Sequence, residues 1–164
     1  MLTPGRARAI AGCTGWMALT FLAAGIGGAG SVGAPAFYAA LDRPAWAPPA
    51  WLFGPAWTLL YTMMGIAACR VWLGTSAHRT PALVLYGVQL AINALWSWTF
   101  FEWRSGLGAL INILVLDALV VVTLLRFRSS GALAAGLLVP YLGWILFATA
   151  LTIACWQRNP ALLG

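Results

Sequence analysis

Lysine is missing from this chain altogether, histidine occurs once, and acidic residues occur three times in 164 positions. General acid–base catalysis draws mostly on those side chains, so its usual players are few. The one histidine, His78, falls in a short polar loop. No cluster of His, Cys and carboxylate residues has metal-ligand spacing, no nucleophile has a base nearby, and no glycine-rich stretch has the form of a phosphate loop. No catalytic residue, metal site or obligatory cofactor is therefore nominated. Cys13, Cys69 and Cys155 lie far apart, each inside an apolar run. They read as small buried hydrophobes, with neither a disulfide framework nor a redox motif. Charged residues make up 7% of the chain, against roughly 25% in soluble domains, which excludes an ordinary soluble fold.

What is present is apolar: 62% of residues are hydrophobic and the mean hydropathy is +0.88. Five runs of about 20 residues are long enough to cross a bilayer. They cover residues 10–32, 51–73, 81–103, 106–127 and 132–156. The expectation is an all-α integral membrane protein, one domain over residues 1–164, built as a five-helix bundle. A signal peptide is the alternative for the first run, with Ala34-Pro35-Ala36 as its cleavage site. The run is longer than a usual signal core, and proline between the small residues is a poor context, so it is read as a span.

The +6 net charge comes wholly from arginine. These arginines stand singly between apolar runs, a pattern of topology determinants and not of a nucleic-acid surface. Five spans put Arg6, Arg8, Arg70, Arg79, Arg126 and Arg128 on one side and Arg43, Arg104 and Arg158 on the other. In a bacterial membrane the positive-inside rule then places the N-terminus in the cytoplasm and the long first loop outside.

That loop leads into the most distinctive stretch, Asp42 to Tyr61, with tryptophans at 46, 51 and 57 and prolines at 44, 48, 49 and 55. Proline fixes φ, removes a donor and holds its predecessor extended, so Arg43 to Pro49 is expected to be ordered and non-helical. Pro55 suits the first turn of a helix. Composition alone accounts for these tryptophans as an interfacial aromatic belt. Polar–aromatic faces elsewhere suggest a pocket wall instead. Gln89, Asn93, Trp96 and Phe100 share one face of the third span, and Trp57, Tyr61, Met64 and Ala68 share one of the second. Trp144, Ala148, Thr152 and Cys155 line up on the fifth, after a Pro140-Tyr141 pair expected to kink or loosen its start. Amides inside a bilayer need partners, so the Gln89–Asn93 face looks into the bundle, either as interhelical glue or as a cavity wall. Asp117 is the lone acid near a span's centre; ion coupling and a protonated, hydrogen-bonded helix contact are its two readings. Gly87, Ala91 and Ala94 form a small-residue strip suited to close helix approach, within or between protomers.

Taken in order, three segments carry a resemblance to a known family. They are Arg43-Pro44-Ala45-Trp46-Ala47-Pro48-Pro49-Ala50-Trp51 running into Ala56-Trp57-Thr58-Leu59-Leu60-Tyr61; Gln89 to Ser97 with Phe100-Phe101; and Val139-Pro140-Tyr141-Leu142-Gly143-Trp144 with Phe147-Ala148-Thr149. The chain resembles the translocator protein/tryptophan-rich sensory protein family, also called the peripheral-type benzodiazepine receptors, over nearly its whole length. The resemblance implies a five-helix bundle, typically a homodimer, binding protoporphyrin IX, haem and benzodiazepine-type drugs. Tetrapyrrole handling or stress signalling, light-dependent porphyrin breakdown, and tetrapyrrole or sterol transport are the roles it brings. Its pocket, under the first loop, would be lined by Tyr38, Trp46, Trp51, Trp57, Tyr61, Asn93, Trp96, Trp144 and Ala148. The family's sterol-recognition pattern needs a tyrosine between Leu151 and Arg158, where this chain has Trp156 and no tyrosine; Thr152 also replaces a common asparagine.

Overall fold

The computed structural model describes residues 3–164, and among them the secondary structure is entirely helical. Five helical segments are long and apolar enough to cross a membrane: Gly5–Ala29, Ala50–Leu73, Arg79–Glu102, Gly106–Arg128 and Ala132–Arg158. The first is α1 (Pro4–Ala29), followed by a short helix α2 (Ala34–Ala40). A single 3-10 turn, Ala50–Leu52, opens into α3 (Phe53–Leu73). Then come α4 (Arg79–Ser97), α5 (Gly106–Arg128), α6 (Ala132–Gly136), α7 (Val139–Arg158) and α8 (Pro160–Leu163).

Local chemistry explains where these elements start and stop. Pro4, Pro35, Pro140 and Pro160 all stand in first turns, where the missing N–H has no intrahelical partner to lose. The first span thus begins at Pro4, not at residue 10, because the long stems of Arg6 and Arg8 extend the helix while their heads stay wet. It also stops earlier, at Ala29, amid glycines that favour leaving a helix. The first loop is not wholly irregular, since α2 interrupts it. The fifth run is two helices. Pro140 does not kink a continuous span but starts α7, after a break in which the Leu138 N–H bonds the Ala135 carbonyl at 3.0 Å. The third span ends in a π-helical turn, Trp98–Glu102, closed by the Trp103 N–H on the Trp98 carbonyl at 2.8 Å. Such a turn adds a residue and rotates its own side chains, here Phe100 and Phe101, relative to α4.

α1 packs against α3 and α4; α5 packs against α4 and α7; α6 closes onto α3 and α5. α1 is the most peripheral, with Leu22 60% and Ile26 49% exposed. It is nonetheless closely seated. A Cβ on Gly30 would come within 2.8 Å of the Trp98 indole, whose Nε1–H donates to the Ile26 carbonyl at 3.0 Å. Farther along, Gly12 leaves room for the Trp72 indole.

Beside that contact the cysteine expectation fails. Cys13 and Cys69 form a disulfide joining α1 to α3, with Cα atoms 4.7 Å apart. Antiparallel packing brings two positions 56 residues apart to one level, which spacing along the chain does not reveal. Cys155 alone is free and buried.

Candidate ligand-binding site

Between α1, α3, α4 and α7, beneath α2, lies a cavity of about 440 Å³. Small-molecule sites usually occupy roughly 300–1,000 Å³ and are apolar with a few convergent polar groups. Here α3 contributes Phe53, Trp57 and Tyr61, and α4 contributes Asn93, Trp96 and Ser97. The π turn adds Phe100 and Phe101, and α7 adds Trp144, Phe147, Ala148, Leu151, Thr152 and Cys155. α1 supplies mostly small groups, Ala24, Gly27 and Gly28, together with Phe21, and the turn after it adds Ser31.

The aromatic walls hold each other in place. Trp57 lies edge-on to Trp144 at 6.4 Å and tilted over Tyr61 at 5.5 Å. Trp96 stacks nearly parallel on Phe100, centroids 5.2 Å apart. Edge-to-face and offset pairs of this kind add to area burial and restrict ring motion.

A chain of buried side-chain hydrogen bonds reaches the cavity wall. The Tyr61 hydroxyl donates to Asn93 Oδ1 at 2.9 Å, Asn93 Nδ2 donates to the Tyr141 hydroxyl at 2.5 Å, and that hydroxyl donates to Gln89 Oε1 at 2.9 Å. The chain of bonds crosses α3, α4 and α7. Gln89 and fully buried Tyr141 therefore act as interhelical glue, while Asn93 and Tyr61 also reach the cavity. Trp96 Nε1–H is buried without a partner, although its ring lines the cavity. A buried unpaired donor of this kind is costly.

The proline–tryptophan segment runs between two wall residues, Tyr38 and Ala50, and none of residues 42–49 is itself on the wall. Residues 42–49 are irregular, as proline dictates, with a turn closed by the Ala47 N–H on the Pro44 carbonyl at 2.9 Å. The buried Tyr38 hydroxyl donates to the Pro48 carbonyl at 2.8 Å, and the Arg43 guanidinium lies 4.6 Å above the Tyr38 ring. Burial raises the Tyr38 phenol above its usual range, against an opposing pull from Arg43.

Of the nine expected lining residues, Tyr38, Trp57, Tyr61, Asn93, Trp96, Trp144 and Ala148 lie on the cavity wall. Trp46 and Trp51 do not. Trp46 is 51% exposed and packs edge-on against Phe147 at 5.7 Å, and Trp51 is 71% exposed at the start of the second span. Their chain neighbourhood is right, but the 3-10 turn directs the lining role to Phe53. Spacing alone does not single out Phe147, Phe53 or the small residues of α1. Phe147 sits one turn from Trp144, which is a usable signal, whereas the role of α1 depends on tertiary packing.

Residues 16–157 match the TspO/MBR family. The chain belongs to that family. It is 41% identical over 144 residues to the tryptophan-rich protein TspO of Chlorobaculum tepidum, covering 85% of this chain and 90% of that one. It is 38% identical over 145 residues to the tryptophan-rich sensory protein of Cereibacter sphaeroides, covering 86% and 90%. It is also 37% identical over 126 residues to the human translocator protein, covering 75% of each. The TspO/MBR match takes in the whole lining and ends one residue before Arg158.

Asp117 lies outside the TspO/MBR cavity lining. Its Oδ2 is 2.8 Å from Thr149 Oγ1 across the α5–α7 contact, and Thr149 Oγ1 also bonds the Ile145 carbonyl at 2.9 Å. Asp117 thus makes a hydrogen-bonded helix contact through Oδ2, while its Oδ1 is buried without a partner. Among the described residues no His/Cys/carboxylate group is arranged to hold a metal.

Proposed function

We propose that this TspO/MBR chain is a membrane receptor for a flat, hydrophobic, aromatic ligand of the tetrapyrrole class, protoporphyrin IX or haem. The observation that carries the reading is the cavity itself, aromatic on three sides with Asn93 and Tyr61 on its polar flank. A macrocycle would lie against Trp57, Trp144 and the Trp96–Phe100 stack, its polar edge meeting those donors and acceptors. Arg43 would meet a propionate at the mouth as a charge-assisted contact. Benzodiazepine-type ligands share the same chemistry of a rigid aromatic body with one acceptor edge. A tryptophan-rich sensory name among its relatives agrees with a role in sensing or stress signalling.

Tryptophan fluorescence of the purified protein is expected to fall on titration with protoporphyrin IX. Trp57→Ala and Trp144→Ala should each weaken binding at least ~10-fold, because truncating a well-packed aromatic anchor costs about 2 kcal/mol or more. Wild-type affinity in both variants would remove the proposed lining. The membrane is proposed to be bacterial, with the N-terminus on the cytoplasmic side by the arginine partition. The working unit is proposed to be a homodimer.

A second reading, light-dependent breakdown of a bound porphyrin, is favoured by the contiguous oxidisable rings of Trp57, Tyr61, Tyr141 and Trp144. Bleaching of the bound porphyrin under light, absent with equimolar free tryptophan and lost in Trp57→Phe, would support it. Equal bleaching by free tryptophan would remove it. Tetrapyrrole or sterol transport is a third reading whose one support in the chain is Asp117; unchanged uptake into vesicles by Asp117→Asn would remove that support.

A further inference from the structure

The bond between α1 and α3 lies close to one membrane surface. Cys69 stands one turn before α3 ends at Leu73, roughly 6 Å along the helix axis. Its partner Cys13 is on the N-terminal half of α1, so the bond belongs to the end of the bundle that carries Arg6, Arg8, Arg70 and Arg79. On the proposed orientation that end faces the cytoplasm. Thiols there are kept reduced, and a disulfide in that compartment is usually transient, either catalytic or redox-sensing. Both cysteines are only half-buried, which leaves the sulfurs within reach of small reagents at the surface. Cys155, the free cysteine, is buried on the cavity wall and takes no part in the pair.

What the bond holds is one half of the least buried span. Here α1 and α3 fit closely: Gly12 leaves room for the Trp72 indole, and Gly65 for Met17. The Arg79 guanidinium covers the Trp72 ring at 5.0 Å and its Nη1 donates to the Trp72 carbonyl at 3.1 Å, capping this seam. Farther along, α1 turns to α4 instead, through Thr20 Oγ1 and the Tyr86 hydroxyl at 2.7 Å and the Trp98 indole on the Ile26 carbonyl. Phe21, Ala24, Gly27 and Gly28, the α1 part of the cavity wall, fall on that second stretch. The angle of α1 over the cavity is therefore fixed from both ends, covalently at one of them. We propose that Cys13 and Cys69 are a reversible redox site, closed by hydrogen peroxide and opened by a low-molecular-weight thiol, whose closed form holds the α1 wall in place.

Closing takes two electrons from the pair. One thiolate accepts an oxygen from the peroxide and becomes a sulfenic acid, and the hydroxide released takes up that thiol's proton as water. The second thiol then displaces the sulfenic oxygen as another water, and the S–S bond forms. Opening returns both electrons. An external thiol attacks one Sγ, a second releases the mixed disulfide, and two protein thiols and one external disulfide remain.

The test uses the full chain with Cys155→Ser in a bacterial inner membrane, its thiols trapped by acid quenching and alkylation. The pair is expected to be mostly reduced in unstressed cells, mostly disulfide after a hydrogen peroxide pulse, and reduced again on recovery. A pair oxidised throughout would overturn the redox site and leave a structural bond, and a pair never oxidised would overturn it as well. In nanodiscs, opening by glutathione should accelerate hydrogen exchange over residues 5–28 at least ~10-fold, with α5 and α7 unchanged. Cys13→Ser/Cys69→Ser should match the reduced pattern with or without peroxide; reduced wild type gives the same readout should that variant not fold. Equal exchange in both redox states would overturn the hold on α1. Protoporphyrin IX should bind the reduced form about 5-fold or more weakly than the oxidised one, and equal affinity would overturn the coupling to the cavity. That last arm alone rests on the receptor reading. If oxidised protein binds no porphyrin the receptor reading falls, whereas trapping and exchange still decide the redox site.

Discussion

Tyr38 shows how one side chain serves both packing and the site. Its ring lines the cavity and meets Phe53 edge-on at 5.4 Å, while its hydroxyl holds the Pro48 carbonyl. Tyr38→Phe keeps the ring and deletes that bond, so a loss of about 1 kcal/mol at neutral pH is expected. The pH dependence has a definite sign. Burial raises the folded-state phenol above its ordinary value, so the folded state holds the proton more tightly than the unfolded one. The stability linked to it is fully present below the unfolded value, near 10, and is lost as pH rises through the raised folded value. Thermal unfolding of wild type and Tyr38→Phe should therefore differ at pH 7 and converge above about pH 10. A constant difference across that range would mean the phenol proton is not held by the fold.

At the scale of elements, α1 is the least buried of the five spans and has two fasteners, the Trp98–Ile26 contact at one end and the Cys13–Cys69 disulfide toward the other. Cross-linking across a loop of this length typically adds about 2–4 kcal/mol of stability. Reduction, or the Cys13→Ser/Cys69→Ser pair, should lower the thermal midpoint of the purified protein, and reductant should have no effect on the double variant. An equal midpoint with and without reductant in wild type would show that α1 is held without the bond. This bond is invisible in the sequence because nothing in a lone Cys at 13 and another at 69 states which helices neighbour each other. The five spans, by contrast, are legible from hydropathy and length, since every backbone group in lipid must be paired within its own helix. The proline-bounded segment and the Trp57, Asn93 and Trp144 faces are legible from spacing as well. Trp46 and Trp51 are not, because proline specifies an ordered segment but not which way its side chains point.

The whole molecule leaves one apolar surface with an unusual shape. Between α1 and α4, Leu19, Leu22 and Ile26 face Gly87, Ala91 and Leu95 across a shallow groove bounded by Trp98 and Trp103. The small-residue strip of α4 divides here. Ala94 is spent within the protomer, where its Cα would lie 3.5 Å from a Cβ on Gly27. Gly87 meets nothing within 4 Å and Ala91 is exposed, so that half of the strip remains open to a second helix. In lipid, helices associate through close backbone approach and packing, with no hydrophobic gain between them. A groove floored by Gly and Ala offers that approach, whereas the outward Leu114, Val115 and Val122 of α5 hold a neighbour farther off. The proposed homodimer should therefore form through α4. In a background with Cys13, Cys69 and Cys155 changed to serine, Ala91→Cys is expected to give a disulfide-linked dimer on mild oxidation in membranes, and Val115→Cys is not. Crosslinking at Val115 and none at Ala91 would place the interface on α5. No crosslink at either site, with a monomeric mass in mild detergent, would leave the groove to lipid.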